Sequence, residues 1–325
     1  MTIVASVVVP TYLRPALLAR CLSALLAQQF DPAAYEIIVA DDAASMETAA
    51  LVERIARQAR AQGLTLRYAT VTGAHGPAAA RNTGWRLAHG AVIAFTDDDC
   101  VPDPDWLRMG LGALTEGVAG VSGRLIATCG ARPTDYERNA AQLAHAEFVT
   151  ANMFYRRDAL AAIGGFDERF PLAWREDSDL AFTLLERGER IVRAPRAIVA
   201  HPQRPAPWGI SIRQQQRSMY NALLYRKHPR LYRERIQSAP PWRYYLTVAA
   251  LLTAVVGGSQ RRRGALATGL GAWLILTARF SLMRLRGASR APSHIAEMLV
   301  TSALIPPVCV FWRLAGAIRY RTLFL

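Results

Sequence analysis

The chain has 325 residues, 52% of them hydrophobic, and a formal net charge of +14. That length holds one large domain or two smaller ones. The four cysteines, Cys21, Cys100, Cys129 and Cys309, form no CxxC, which excludes a disulfide scaffold or a zinc module of the usual spacing and points to a reducing compartment.

The charge is divided along the chain. Residues 1–200 carry 20 Arg against 23 Asp and Glu, net −3, whereas residues 201–325 carry 19 Lys and Arg against 2 Glu, net +17. Lys227 is the single lysine. An acidic half followed by a basic, apolar half reads as a soluble domain followed by a membrane-facing one. Nucleic acid is the other usual partner of a basic chain. Here the arginines flank long apolar runs, so a membrane is expected and nucleic acid is not. The N-terminus has no charged leader or cleavage site, so no signal peptide is expected.

In chain order, Ile3–Val9 reads as a buried strand closed by Pro10-Thr11-Tyr12. Pro15 opens a helix over Ala16–Gln29, with apolar spacing at Leu18, Cys21, Leu22, Leu25 and Leu26. Tyr35–Ala40 is a second strand, ending in Asp41 and Asp42. Met46–Gln62 is a second helix and Leu64–Val71 a third strand. Gly76–Gly90 is a loop running into a short helix, and Ala91–Phe95 is a fourth strand, apolar enough to be buried on both faces. This alternation predicts an α/β fold with a Rossmann-like, mostly parallel sheet flanked by helices.

The fourth strand stops at three carboxylates, Asp97, Asp98 and Asp99, with no Lys or Arg among them. Left unpaired they repel one another, which costs stability unless a cation sits between them. Ligands of open α/β sheets bind outside the carboxyl ends of the strands. The triplet therefore reads as a divalent-metal site for a phosphate-bearing ligand, and oxygen donors favour Mg²⁺ or Mn²⁺. Taken alone it also reads as a solvated acidic loop capping the next helix. The second strand ending in acids, Asp41-Asp42, argues against that.

Downstream, Gly164–Phe170 is a Gly-rich turn, and Glu176-Asp177 lies at or just before the N-terminus of a helix over Leu180–Arg187, where the dipole favours carboxylates. Ala197–Ala200 is a short strand before His201-Pro202, and His201 is either structural or a metal or phosphate contact. Residues 203–243 read as a basic connector, partly helical, with few apolar anchors. Three apolar runs follow: Tyr244–Gly258, short for a span, then Gly264–Met283 and Ile295–Ile318, both long enough. Pro306-Pro307 interrupts the last. They predict transmembrane helices over 244–325, or interfacial helices as the other reading. The basic loops place the domain of residues 1–202 on the cytoplasmic side of an inner membrane.

The runs VVVPTYLRPALLARCLSALLAQ, EIIVADD and GPAAARNTGWRLAHGAVIAFTDDDCVPDPDWL, then NMFYRRDALAAIGGFDERFPLAWREDSDLAFTLLERG, resemble the family 2 glycosyltransferases, inverting enzymes of GT-A fold. The resemblance covers about residues 3–202. One departure is Ala43-Ala44-Ser45 after Asp42, where the family often has Gly-Ser. The resemblance implies a nucleotide-sugar donor, with Pro10, Thr11, Tyr12 and Asp42 on base and ribose and Asp41 as the near alternative to Asp42. A carboxylate and an aromatic ring suit a base edge and face. Arg14 and Arg81, the latter beside Asn82, are candidates for the diphosphate. In the DxD pair Asp97 and Asp99, Asp99 is assigned as the direct metal ligand, with Asp97 or Asp98 on ribose or sugar hydroxyls. Asp177 is implied as the general base, with Glu176 as runner-up. Gln214–Ser218 partly resembles the family's QxxRW element, but Ser218 replaces the Trp, so processivity is not inferred.

The expected activity is inverting transfer to an acceptor hydroxyl, on a lipid-linked or envelope glycan. One alternative is a polyprenyl phosphate acceptor, which needs no strong base. The other is a non-catalytic, membrane-anchored nucleotide-binding scaffold.

Overall fold

The structure is a computed structural model that describes residues 3–127 and 129–324. The chain divides into two compact units, Met1–Thr128 with Gln142–Pro202, and Cys129–Ala141 with Gln203–Leu325.

The first unit begins β1 (Ala5–Thr11), α1 (Pro15–Leu26), β2 (Tyr35–Asp41), α2 (Met46–Ala61), β3 (Thr65–Thr70), α3 (Pro77–Leu87) and β4 (Val92–Phe95). Every residue of β1, β2 and β4 is buried, as strands covered on both faces must be. Pro15 and Pro77 occupy the first turns of α1 and α3, where no amide donor is needed. α1 turns Leu18, Cys21, Leu22 and Leu25 inward. Each leucine contributes about 1.5–3 kcal/mol by leaving water. Ser45 Oγ caps α2 by accepting from the Thr48 amide.

The unit continues with β5 (Val101–Pro102), α4 (Trp106–Gly112) and β6 (Val118–Ile126). After the excursion through α5 (Asp135–Ala141) it resumes with β7 (Met153–Arg156), α6 (Arg157–Ile163), α7 (Glu176–Glu186) and β8 (Arg190–Ala200). The eight strands lie in the order β3-β2-β1-β4-β7-β6-β8-β5. The first four are parallel to one another, as expected. Beyond β4 the sheet is mixed: β7 pairs antiparallel to β4 and to β6, β6 runs parallel to β8, and β5 closes the edge antiparallel. Pro10 is tolerated inside β1 because the pairing with β4 ends at Val8, so no ladder donor is lost there.

The second unit holds α5 and then α8 (Ile210–Arg213), α9 (Ser218–Lys227), α10 (Pro229–Arg235), α11 (Trp242–Ser259), α12 (Arg263–Leu285) and α13 (Pro292–Arg319). The stretch read as a connector with few anchors is largely helical. It buries Met219 to Leu224 without a break, and then Leu231 and Tyr232. Gly269 of α12 lies so close to the Ala254 backbone of α11 that a Cβ would not fit. α12 and α13 are long and apolar enough to cross a membrane, by length and composition alone. α13 runs on through Pro306-Pro307 rather than breaking there.

Within this unit Arg284, in the last turn of α12, is buried against Asp135 of α5. Its Nε and Nη2 donate to Asp135 Oδ2 at 3.1 and 2.9 Å. Its Nη1 donates to the hydroxyls of Thr301 at 2.6 Å and Ser302 at 3.1 Å. The Asp135 amide donates to His294 Nε2 at 3.0 Å, which sets that ring's tautomer, and Nδ1 then donates to the Ser289 carbonyl at 2.8 Å.

Candidate functional site

Because β1, β2 and β4 run parallel, the residues that follow them gather at one sheet edge: Thr11 to Arg14, Asp41-Asp42 and Asp97 to Asp99. The triplet is not unpaired. Arg14 Nη2 lies 2.8 Å from Asp98 Oδ1, and its Nη1 3.7 Å from Asp99 Oδ2. Arg81 Nη2 lies 2.8 Å from Asp97 Oδ1. The expectation of three uncompensated carboxylates is therefore corrected, because guanidinium groups from α3 and from the turn after β1 reach them. The Thr11 hydroxyl donates to Asp98 Oδ2 at 2.7 Å. Burial pushes the Asp98 carboxyl up to about 6, and Arg14 and Thr11 only partly offset it.

Asp41 is buried and serves its own turn. It accepts from the amides of Ala43 and Ser45, both at 2.9 Å, and from the Tyr68 hydroxyl at 2.9 Å. Asp42 is half-buried and accepts from the Gly76 amide at 2.9 Å, with His75 Nδ1 2.8 Å away. Of the two, Asp42 is the more exposed carboxylate. Ala44, at the departure from the Gly-Ser pattern, has φ +49°, and the Asp41 bonds hold the turn without glycine. Tyr12 is 55% exposed just past β1.

Arg81 and Asn82 face protein rather than open space. Arg81 is buried, and its Nη1 donates to Glu176 Oε1 at 2.9 Å. Asn82 Oδ1 accepts from the Phe166 amide at 2.9 Å and from Trp85 Nε1 at 2.8 Å. Its Nδ2 donates to the Phe166 carbonyl at 2.9 Å and to Glu168 Oε1 at 2.7 Å. Asn82 thus fastens the Gly164–Phe170 turn. Gly165 (φ +81°) passes so near that a Cβ would stand 2.5 Å from both Asn82 Oδ1 and Trp85 Nε1.

Among the described residues, Asp99, Cys100 and His201 form a group whose ligand atoms lie within 4.8 Å of one another. His201 Nε2 is 3.5 Å from Asp99 Oδ1. Cys100 is the poorest match of the three for a hard cation, because a thiol is a soft donor and Mn²⁺ and Mg²⁺ prefer oxygen. Asp97 is outside this group and turned to Arg81. A carboxylate with one imidazole leaves most of a coordination sphere to phosphate and water, which fits Mn²⁺ or Mg²⁺.

Glu176 and Asp177 open α7, and Arg175 before them has φ +78°, a strained value for a residue with a side chain. Asp177 is partly exposed, and its Oδ1 accepts from the Ser178 amide at 2.6 Å. Burial raises its carboxyl, and the Ser178 amide and Arg175 partly offset the rise. Burial pushes Glu176 up to about 7, with Arg81 acting the other way. A carboxyl raised by folding stabilises the fold below its unfolded pKa, and that contribution is lost as pH rises through the folded value. For Glu176 the window runs from about 4.5 to about 7. Thermal melts of Glu176→Gln against wild type should show a smaller loss of midpoint between pH 5 and pH 8 in the variant. Parallel curves would count against the assignment.

Sequence reasoning missed His75, Tyr68 and Glu168. They are spoken for by Asp42, Asp41 and Asn82, and only the folded sheet edge brings them there.

The family model "Glycosyl transferase family 2" matches residues 6–169, and "Glycosyl transferase family group 2" matches 92–315. Glycosyltransferase AglE of Haloferax volcanii is 29% identical over 212 residues, 62% of this chain and 67% of that one. A pre-mycofactocin glycosyltransferase of Mycobacterium tuberculosis is 37% identical over 145 residues, 40% of this chain and 30% of that one. Among solved structures, a mannosyltransferase of Pyrobaculum calidifontis in complex with GDP-Man and Mn²⁺ covers 99% of this chain and 88% of its own, at 22% identity and TM-score 0.59. Residues 1–349 of S. aureus TarS in complex with UDP cover 96% and 92%, at 17% identity and TM-score 0.52. These structures share the GT-A-like fold.

Proposed function

Since the chain belongs to glycosyl transferase family 2 and is a glycosyltransferase, we propose that it is a metal-dependent inverting enzyme that moves a sugar from a nucleoside-diphosphate donor to an acceptor hydroxyl. The observation that carries this reading is the convergence, in one unit, of Asp42, the Asp97–Asp99 triplet, His201 and the Glu176-Asp177 turn. Asp42 and Tyr12 hold the base, with Thr11 and Pro10 shaping the floor. Arg14, 34% exposed, swings from Asp98 towards the diphosphate. Asp99 and His201 hold Mn²⁺ or Mg²⁺. When bound, such an ion neutralises charge that develops on the departing diphosphate. Asp177 removes the acceptor proton on the face opposite the leaving group, so one displacement inverts the anomeric centre. The relatives' names support a sugar-nucleotide donor.

The two apolar helices α12 and α13 and the basic C-terminal third support attachment to a membrane, with the first unit on the cytoplasmic side and a lipid-linked or envelope glycan as acceptor. Polyprenyl phosphate is the second acceptor reading.

The test is donor binding and hydrolysis by the full chain in detergent, with UDP-, GDP- and dTDP-sugars, with and without Mn²⁺. One donor should bind and turn over only with the metal. Asp99→Ala should lower that turnover by about a hundredfold or more. Metal-independent binding without turnover would favour the scaffold reading instead.

A further inference from the structure

Arg81 sits on α3 beneath the triplet, and its contacts fit a phosphate ligand poorly. One terminal nitrogen meets Asp97 and the other meets Glu176, at 2.8 and 2.9 Å. The side chain is 4% exposed. A diphosphate approaching either N–H edge would meet a carboxylate already seated there. Of the two partners Glu176 is buried and Asp97 is 27% exposed, so only Asp97 faces outward. The Phe166 ring lies 5.7 Å from the guanidinium carbon, on the turn that Asn82 fastens. Burial alone would lower the Arg81 pKa, but Asp97 and Glu176 more than offset this and hold the charge.

We propose that Arg81 is a positioning residue whose single guanidinium locks the donor-side carboxylate Asp97 to the base-bearing first turn of α7, without itself binding the diphosphate. The proposal rests on the transferase reading above. The lock ties Asp97, two residues past β4, to the residue next to Asp177, so the two halves of the reaction centre share one anchor. It also holds Glu176 directly after the strained Arg175, where an untethered turn would relax. Lysine cannot replace it. An ammonium is a point charge on a flexible stem, whereas the planar fork spans two carboxylates at once.

The experiment compares Arg81→Lys with wild type in the full chain. UDP and GDP binding is measured by calorimetry with Mn²⁺, and donor turnover by steady-state kinetics on the donor that wild type accepts. The expected result is a nucleotide Kd and donor KM within about threefold of wild type and a kcat lower by about thirtyfold or more. Adding Glu176→Gln should cost less than about threefold further, because the bridge is already open. A tenfold weaker nucleotide Kd with kcat retained would make Arg81 a phosphate ligand and overturn the proposal. So would an unchanged kcat. If Arg81→Lys does not fold, Glu176→Gln, which keeps an acceptor for Arg81 Nη1 but no basicity, is compared with Glu176→Ala: an unchanged Kd in both, with kcat retained within about threefold in the first and about thirtyfold lower in the second, supports the lock, and an equal loss of kcat in both, a tenfold change in Kd or an unchanged kcat in the second overturns it. Failure of the transferase reading shows in wild type itself, as no metal-dependent binding or turnover of any nucleotide sugar, and would overturn both.

Discussion

Asp177→Asn is expected to lower kcat for transfer to a hydroxyl acceptor by about a thousandfold, with donor KM nearly unchanged. The asparagine is isosteric and can still accept from the Ser178 amide that holds Oδ1. What it loses is basicity. Burial raises the Asp177 carboxyl towards the working pH, where a general base is most effective. Steady-state kinetics on both acceptor classes provides the check. A phosphate acceptor is already ionised and should lose less than about tenfold. Full activity of the variant on a hydroxyl acceptor would remove Asp177 from the role and leave Glu176 to be tested.

The second large effect is expected in the helical unit. Asp135→Ala should cost about 3–5 kcal/mol, because it leaves the Arg284 guanidinium buried without a counter-charge. The hydroxyls of Thr301 and Ser302 remain as acceptors, but neither carries charge. The double replacement Asp135→Leu with Arg284→Met removes both charges and should recover most of the loss. Thermal midpoints of the full chain in one detergent, read for wild type, single and double variants, decide it. A single variant as stable as wild type would mean that water reaches Arg284.

The parallel half of the sheet was legible in sequence for a physical reason. Strands covered on both faces are mostly apolar, and β1, β2 and β4 are, save for Ser6 and Glu36, which bond each other, and the closing Thr11 and Asp41. The antiparallel placement of β7 was not legible. Four residues, Met153 to Arg156, carry no alternation that could give direction. The acidic triplet was visible, but its neutralisation was not. Arg14 and Arg81 are ordinary arginines in a chain rich in them, and only the folded sheet edge brings them to Asp98 and Asp97. Asn82 shows the same limit from the other side. A polar residue in a Gly/Ala-rich stretch looks available to a ligand until its amide is found bonded to Phe166, Trp85 and Glu168. The helices at 218–235 were hidden because high charge flanks a short run, Met219 to Leu224, that is buried on all sides and so carries no one-sided stripe.

The Asp135–Arg284 pair also sets a timetable on the ribosome. Its two residues are 149 positions apart, so Asp135 is made long before Arg284, with Arg138, three residues on, as its nearer partner. At about 5–20 residues per second, Arg284 follows on the order of ten seconds later. For that interval α5 holds only the local Asp135–Arg138 pair, and its buried pairing waits on the last third of the polypeptide.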